Sequence, residues 1–288
     1  MSREPIYSFA ALHNRLTVRG DLLALTALRI GAGRATEIIA NDLPVLRDAF
    51  DRPFIPGASL KGALRAQVES LVRAVQPDQA FDLEQIEAHM RREISRLKEQ
   101  HDDDMVLSKA IWRASTLIDL TFGAPWVAGR VFFKDAQVDP RLWFGQFETR
   151  NGVGINRDTE TAEPRLLYDY EVVPAGARFH FDLVVENAAP WQLGMLLAAL
   201  KPWQRGDVQI GGFRSRGLGY VQLVGREGRE APEIRYMAVR EGVAGVDDVI
   251  AWLNGGGEAV GADQEREWVA AFRAALEQPE QAKEMINA

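Results

Sequence analysis

At 288 residues and without a cysteine, the chain can carry neither a disulfide framework nor a thiolate metal site. Hydrophobic residues make up 47% of it, enough for a sizeable core, yet no apolar run is long enough to cross a bilayer. The formal net charge of −7 argues against free, nonspecific nucleic-acid binding, but the acidity is local: residues 227–288 hold 13 Asp/Glu against 6 Lys/Arg, whereas residues 1–75 hold 10 Lys/Arg against 7 Asp/Glu.

Phosphate binding follows the local field rather than the overall charge, so a basic groove in the first part of the chain stays open. The amino-terminal Met1-Ser-Arg-Glu-Pro has no apolar leader, and the chain is expected in the cytoplasm with no membrane partner. In chain order, Arg15 to Thr26 reads as a strand and Leu28 to Asp51 as a long loop. Leu64, Val68, Leu71, Val72 and Val75 repeat at helical spacing and predict a helix from Gly62 to Val75. Leu83, Ile86, Met90, Ile94 and Leu97 put an apolar stripe on a second helix running to about Lys98, broken by the charged stretch Glu99 to Asp104. A shorter helix follows over Leu107 to Leu117. Phe179, Phe181, Leu183 and Val185 alternate as a half-buried strand should, and Trp191 to Leu200 reads as a core helix closed by Pro202. Beyond Arg226 come a short helix over Asp247 to Leu253, a glycine linker over Asn254 to Gly257, and a helix over Asp263 to Leu276. Trp268, Phe272 and Leu276 share one face of that last helix, which must bury against the chain's own core or a neighbouring subunit.

Two segments carry chemistry. Phe54-Ile-Pro-Gly-Ala-Ser-Leu-Lys-Gly-Ala-Leu-Arg-Ala66 joins an extended run, a Pro-Gly turn, a hydroxyl and a lysine to a helix start. The first amides of a helix lack internal partners and carry the positive end of its dipole, so Ser59 and Lys61 stand where those amides meet a phosphate. The Walker spacing is absent, and the same residues also describe a capped helix start with a solvated lysine. Downstream, Ile210-Gly-Gly-Phe-Arg-Ser-Arg-Gly-Leu-Gly-Tyr220 holds four glycines around Arg214 and Arg216. Glycines admit close backbone approach and arginines offer planar forks to phosphate, although a plain turn with solvated arginines has the same composition.

In combination and order these motifs resemble the repeat-associated RAMP superfamily of CRISPR effector subunits, nearest the backbone subunits of type III complexes. Leu28-Arg-Ile-Gly-Ala-Gly33 is similar to the family's early glycine turn, and Asn41-Asp-Leu-Pro-Val-Leu-Arg-Asp48 to its acidic loop. Phe54 to Arg65 resembles its P-G-[SA]-S-L-K-G-x-[LM]-R signature. Leu120 to Gly123 with Gly129 to Asp135 resembles its central strand entry, Gly154 to Ala162 with Glu171 to Gly176 its projecting thumb, and Gly211 to Gly219 its terminal glycine loop.

The resemblance implies an α+β, ferredoxin-like core of the RNA-recognition-module plan over residues 1–226. It would carry a helical insertion over 76–118, a thumb hairpin over 150–176 and an acidic helical C-terminal extension over 227–288. The aromatic signature of the usual RNA-recognition sheet is missing, so loops rather than the sheet face are expected to hold RNA. The insertion offers only His89 and His101 as nitrogen ligands, which argues against a structural zinc and reads both most simply as surface residues.

Asp42 is the expected catalytic residue. A carboxylate beside a phosphate cradle can hold a divalent cation, Mg²⁺ or Mn²⁺ and weakly bound, or polarise a nucleophile; the residues alone favour a cap for the turn before Pro44, and it is the resemblance that makes Asp42 catalytic. The resemblance assigns Ser59, Lys61 and, if it faces the loop, Arg65 to guide phosphates. It puts Arg34, Arg47, Arg52, Arg214 and Arg216 on RNA backbone. It makes Ile155 the wedge of a thumb that also carries Arg157. Guide RNA, target RNA, other effector subunits and copies of this chain are the implied partners. Three functions stand: a target-cleaving backbone subunit, a catalytically silent guide-binding subunit, or a guide-processing endonuclease with a histidine base. None of His13, His89, His101 or His180 lies in a Gly/Lys motif, which tells against the third.

Overall fold

The structure is a computed structural model that describes residues 7, 9–33, 43–240 and 243–284. Strand β1 (Asn14–Ala24) buries Leu16, Val18, Leu22 and Ala24 on one face. After the loop and a short strand β2 (Phe54–Ile55), helix α1 runs from Gly57 to Val75, five residues earlier than the periodicity predicts. The Pro-Gly pair reads as a turn, yet Leu60, buried with Leu64 and Val68, already belongs to the helical repeat. Pro56, at φ −57° and ψ 138°, supplies the N-cap, and the Gly57 amide donates to the Asp135 carboxylate at 2.7 Å. Glycine is needed there because a Cβ would lie 2.6 Å from the Phe133 carbonyl oxygen.

The next stretch is helical but not as two continuous helices. Helix α2 (Leu83–His89) starts at an Asp82–Gln85 capping box, passes through a π-turn at Met90–Ile94, and gives way to α3 (Ser95–Gln100). Of the predicted stripe only Ile94 and Leu97 are buried, whereas Leu83 is 86% exposed. Helix α4 (Asp104–Ala114), capped by Asp103, stops before a second capping box, Thr116–Asp119, which opens α5 (Leu117–Phe122). The expected strand entry at Leu120 to Gly123 is therefore a helix end. His89 is not a surface residue: its ring lies 5.1 Å from Phe81 and 5.2 Å from Trp126, and burial pushes its pKa down.

Strands β3 (Val131–Phe133) and β4 (Ala136–Gln137) lead to the hairpin of β5 (Glu148–Ile155) and β6 (Ala162–Val172), then β7 (Arg178–Glu186) and helix α6 (Pro190–Arg205). Pro202 does not close α6, which continues to Gly206 in the left-handed region. Gln67 of α1 braces the helix on both sides of the proline, donating to the Ala199 carbonyl at 3.1 Å and accepting from the Trp203 indole at 2.9 Å. Burial of Trp203 outweighs the proline penalty. Strands β8 (Val208–Gln209), β9 (Tyr220–Val224) and β10 (Glu233–Ala238), helix α7 (Val243–Leu253), strand β11 (Glu258–Ala259) and helices α8 (Ala262–Glu277) and α9 (Pro279–Glu284) complete the described chain.

The main sheet is antiparallel, with β1 between β7 on one side and β10 and β9 on the other. The spatial order β9-β1-β7-β3, with α1 and α6 as the crossovers, is the ferredoxin-like split βαβ that the sequence implies. The first half of β1 pairs with β10 and the second half with β9, so the C-terminal extension adds to the same sheet. Helix α8 answers the question left open by its stripe: Trp268 is buried against α6 and Tyr236, with Phe272 and Leu276 packed on the same core.

Candidate nucleic-acid interface

The start of α1 is already served by the protein. Asp135 takes the Gly57 amide, and the Pro56 carbonyl accepts from Ser59 at 2.9 Å and Leu60 at 3.2 Å. Ser59 makes no capping bond and its side chain is exposed, so its hydroxyl stays available to a ligand. Lys61 is half-buried one turn on, and burial, followed by the nearby Arg65 charge, pushes its ammonium below the usual lysine range.

Ser59 opens onto a groove of about 560 Å³ whose other walls come from far apart in the chain: Arg29 to Gly31 and Gly33, then Leu43, then Gly211 and Gly212. The early glycine turn, the acidic loop, the P-G-A-S-L-K segment and the terminal glycine loop thus share one concavity. Backbone bonds hold them in place. The Gly212 amide donates to the Arg29 carbonyl at 2.8 Å, Gly219 to Ala27 at 2.9 Å, and Leu46 to Ile30 at 2.8 Å. The root of the β5–β6 hairpin joins the same assembly. The Glu171 amide donates to the Leu43 carbonyl at 3.1 Å, and Tyr170 meets Phe213 edge-on at 4.8 Å. Ala27, Tyr170, Val172 and Leu218 form a small second core beneath the groove.

The expected contact residues divide into engaged and free. Arg47 is engaged: it bonds Glu171, bonds Asp51 at 2.7 Å and stacks 3.8 Å from the centre of the Phe147 ring. Arg52 and Asp48 pair at 3.0 Å, and Asp48 also accepts from the Phe50 and Arg52 amides. Partial desolvation works against the Asp48 carboxylate, but those amides and the guanidinium outweigh it and hold its pKa below the usual range. Arg65 does not face the loop: its Nε bonds Glu69 at 2.7 Å, one terminal nitrogen bonds the Gly123 carbonyl at 2.7 Å, and another lies 3.8 Å from Asp119. Arg216 stacks on Phe213 and bonds the Tyr168 hydroxyl, whereas Arg214 is exposed with no side-chain partner among the described residues. Ile155, at a bulge in the hairpin, is 63% exposed, beside exposed Val153 and Leu167, and Arg157 sits in the exposed turn at the tip. Arg34 and Asp42 lie outside the described residues; Leu43, next in sequence to Asp42, lines the groove.

Sequence reasoning passed over Arg29, whose guanidinium faces the groove over Phe213 and whose pKa burial pushes down. The signal was an arginine inside a glycine turn, Leu28 to Gly33. It also gave no role to Asp135 and Glu171, which stand at the ends of the motifs Gly129 to Asp135 and Glu171 to Gly176. Among the described residues no cluster of three or more His, Asp or Glu could hold a metal ion, and no helix is long and apolar enough to cross a membrane.

A family model described as the RAMP superfamily matches residues 21–222, from the last part of β1 through α1 and the groove to the start of β9. A curated protein of Methanothermobacter thermautotrophicus, the CRISPR system Cms endoribonuclease Csm3, is 27% identical over 226 residues, covering 75% of this chain and 86% of its own length. The protein of the same name from Methanocaldococcus jannaschii is 42% identical over 59 residues, covering 20% of this chain and 24% of its own.

Proposed function

The chain belongs to the RAMP superfamily, and from that premise we propose that it is a backbone subunit of a type III CRISPR effector complex, binding guide RNA and cleaving complementary target RNA. The observation that carries this reading is the single groove in which four separated motifs meet, with Ser59, Leu43 and the glycine loops lining it. The naming of both relatives as endoribonucleases supports the nuclease half. Guide and target strands, other effector subunits and copies of this chain are the partners the reading calls for.

RNA carries its own nucleophile. In the reaction proposed, the 2′-oxygen of one target nucleotide attacks the adjacent phosphorus and the P–O5′ bond breaks. The 2′-hydroxyl proton leaves, a proton reaches the 5′-oxygen, and the products are a 2′,3′-cyclic phosphate and a 5′-hydroxyl. The protein has mainly to place the 2′-oxygen in line and offset the growing negative charge. Glycine amides, Ser59 and Lys61 would hold the backbone. The exposed apolar edge at Ile155 would part stacked nucleotides so that one linkage can turn in line. Asp42 is assigned to catalysis on its place in the acidic loop. A lone carboxylate with phosphate oxygens suits a hard cation such as Mg²⁺ or Mn²⁺, which would bind weakly and supply charge neutralisation.

The test is Asp42→Ala in reconstituted complex. Removal of a group that acts in the transition state should abolish cleavage of guide-matched RNA while assembly and target affinity stay near wild type. Chelator should stop the wild-type reaction and Mg²⁺ or Mn²⁺ restore it. An Asp42→Ala complex that cuts at the wild-type rate defeats the assignment.

A further inference from the structure

Among the described residues, the groove holds a cation, Arg29, that no carboxylate pairs with. Arg29 has no hydrogen-bonded or ion-paired side-chain partner among the described residues, and its Nε is buried with nothing to donate to. Its guanidinium lies in a slot: a Cβ on Gly31 would come 2.9 Å from one terminal nitrogen, a Cβ on Gly212 would come 3.4 Å from it, and Phe213 covers it with its ring centre 5.2 Å away. Arg47, Arg52 and Arg65, by contrast, are each paired with a carboxylate. A half-buried guanidinium is costly to the free protein unless something neutralises it, and its planar fork matches two oxygens of a phosphate. The glycines on either side leave the backbone open to close approach.

We propose that Arg29 grips a phosphodiester of the bound RNA strand, held in its slot by Gly31, Gly212 and Phe213 before RNA arrives. This rests on the RNA-binding reading of the same groove. The phosphodiester belongs to the guide or to the target, and Leu43 on the same wall puts either strand beside the acidic loop.

The experiment compares wild type with Arg29→Gln and Arg29→Lys in three measurements: the thermal midpoint of the free chain, the salt dependence of binding to labelled single-stranded RNA, and guide retention and target cleavage in reconstituted complex. Arg29→Gln should melt at or above the wild-type temperature, because it removes an uncompensated charge. It should bind RNA on the order of tenfold more weakly, with the log–log salt slope smaller by about 0.7. Arg29→Lys should keep the slope and lose part of the affinity, since it keeps the charge without the fork. Lost guide retention marks a guide phosphate, and slower cutting with the guide retained marks a target phosphate; either upholds the proposal. A lower melting point with unchanged RNA affinity, slope, retention and cleavage makes Arg29 a packing residue and overturns it. Should Arg29→Gln not fold, wild-type RNA affinity in Arg29→Lys overturns it equally. A wild-type complex that neither retains guide nor cuts matched RNA defeats the underlying reading itself. Wild-type behaviour with an indistinguishable Arg29→Gln defeats only this proposal.

Discussion

Gly194→Ala tests whether the C-terminal extension is part of the core. Gly194 lies on the face of α6 where α8 crosses, and a Cβ there would overlap the Trp268 carbonyl and lie 2.8 Å from the Val269 amide nitrogen. Both are backbone atoms, so no side-chain rotation relieves the clash and α8 has to move as a body. What moves is well packed: Trp268 is 5% exposed and stands edge-on to Tyr236 at 4.8 Å. Overpacking of this kind costs about 1–3 kcal/mol, while Trp268→Ala, which empties the same contact, should cost about 3–5 kcal/mol. The assay is urea unfolding, read as a lower midpoint for each variant. The double variant should fall short of the sum, because both changes act on one contact. RNA affinity should stay at wild type, since no residue of α8 lines the groove. A Gly194→Ala chain with the wild-type midpoint would refute the claim that α8 is seated on α6.

Three further outcomes are expected. Lys61→Ala with Arg214→Ala and Arg216→Ala should weaken guide retention and flatten its salt dependence by roughly 0.7 in log–log slope per lost phosphate contact; an unchanged slope would make these loops structural. Replacing Ile155 to Thr161 with a short glycine linker should leave thermal stability nearly unaltered, since the tip buries little, yet slow target cleavage with guide retention intact. Cleavage at full speed and at the same positions would free the hairpin of that role. Burial lowers the His89 pKa in the folded state, so the unfolded chain binds the proton more readily. The stability this lends is full above the unfolded value of about 6.5 and is lost as pH falls from there toward the folded value. The urea midpoint should drop between pH 7.5 and pH 5.5 in wild type and drop less in His89→Leu, and equal drops would refute the linkage.

Elements whose stability is written in local periodicity were legible before any fold was known. The alternation through Phe179, Phe181, Leu183 and Val185, the helical repeat of α1 and the stripe of α8 each follow from burying one face, although α1 starts five residues before its pattern and leaves Leu71 and Val75 exposed. The ordered motifs also pointed to the family, because glycine turns and a Ser-Lys helix start have local geometric reasons to keep those residue types. Contacts between distant segments were not legible. Pro202 reads as a stop until Gln67, more than a hundred residues away in the chain, braces the helix around it. The arginines show the limit most clearly. In sequence Arg47, Arg52 and Arg65 each have a carboxylate four residues away and Arg214 has none, but their longer-range partners are invisible and Arg29 looks like part of a turn. Folding brings Glu171 to Arg47 and Asp119 toward Arg65, whereas among the described residues it brings Gly212 and the Phe213 ring, and no carboxylate, to Arg29. Coulomb energy depends on distance in space rather than on separation along the chain, so only the tertiary structure decides which positive charges remain for RNA.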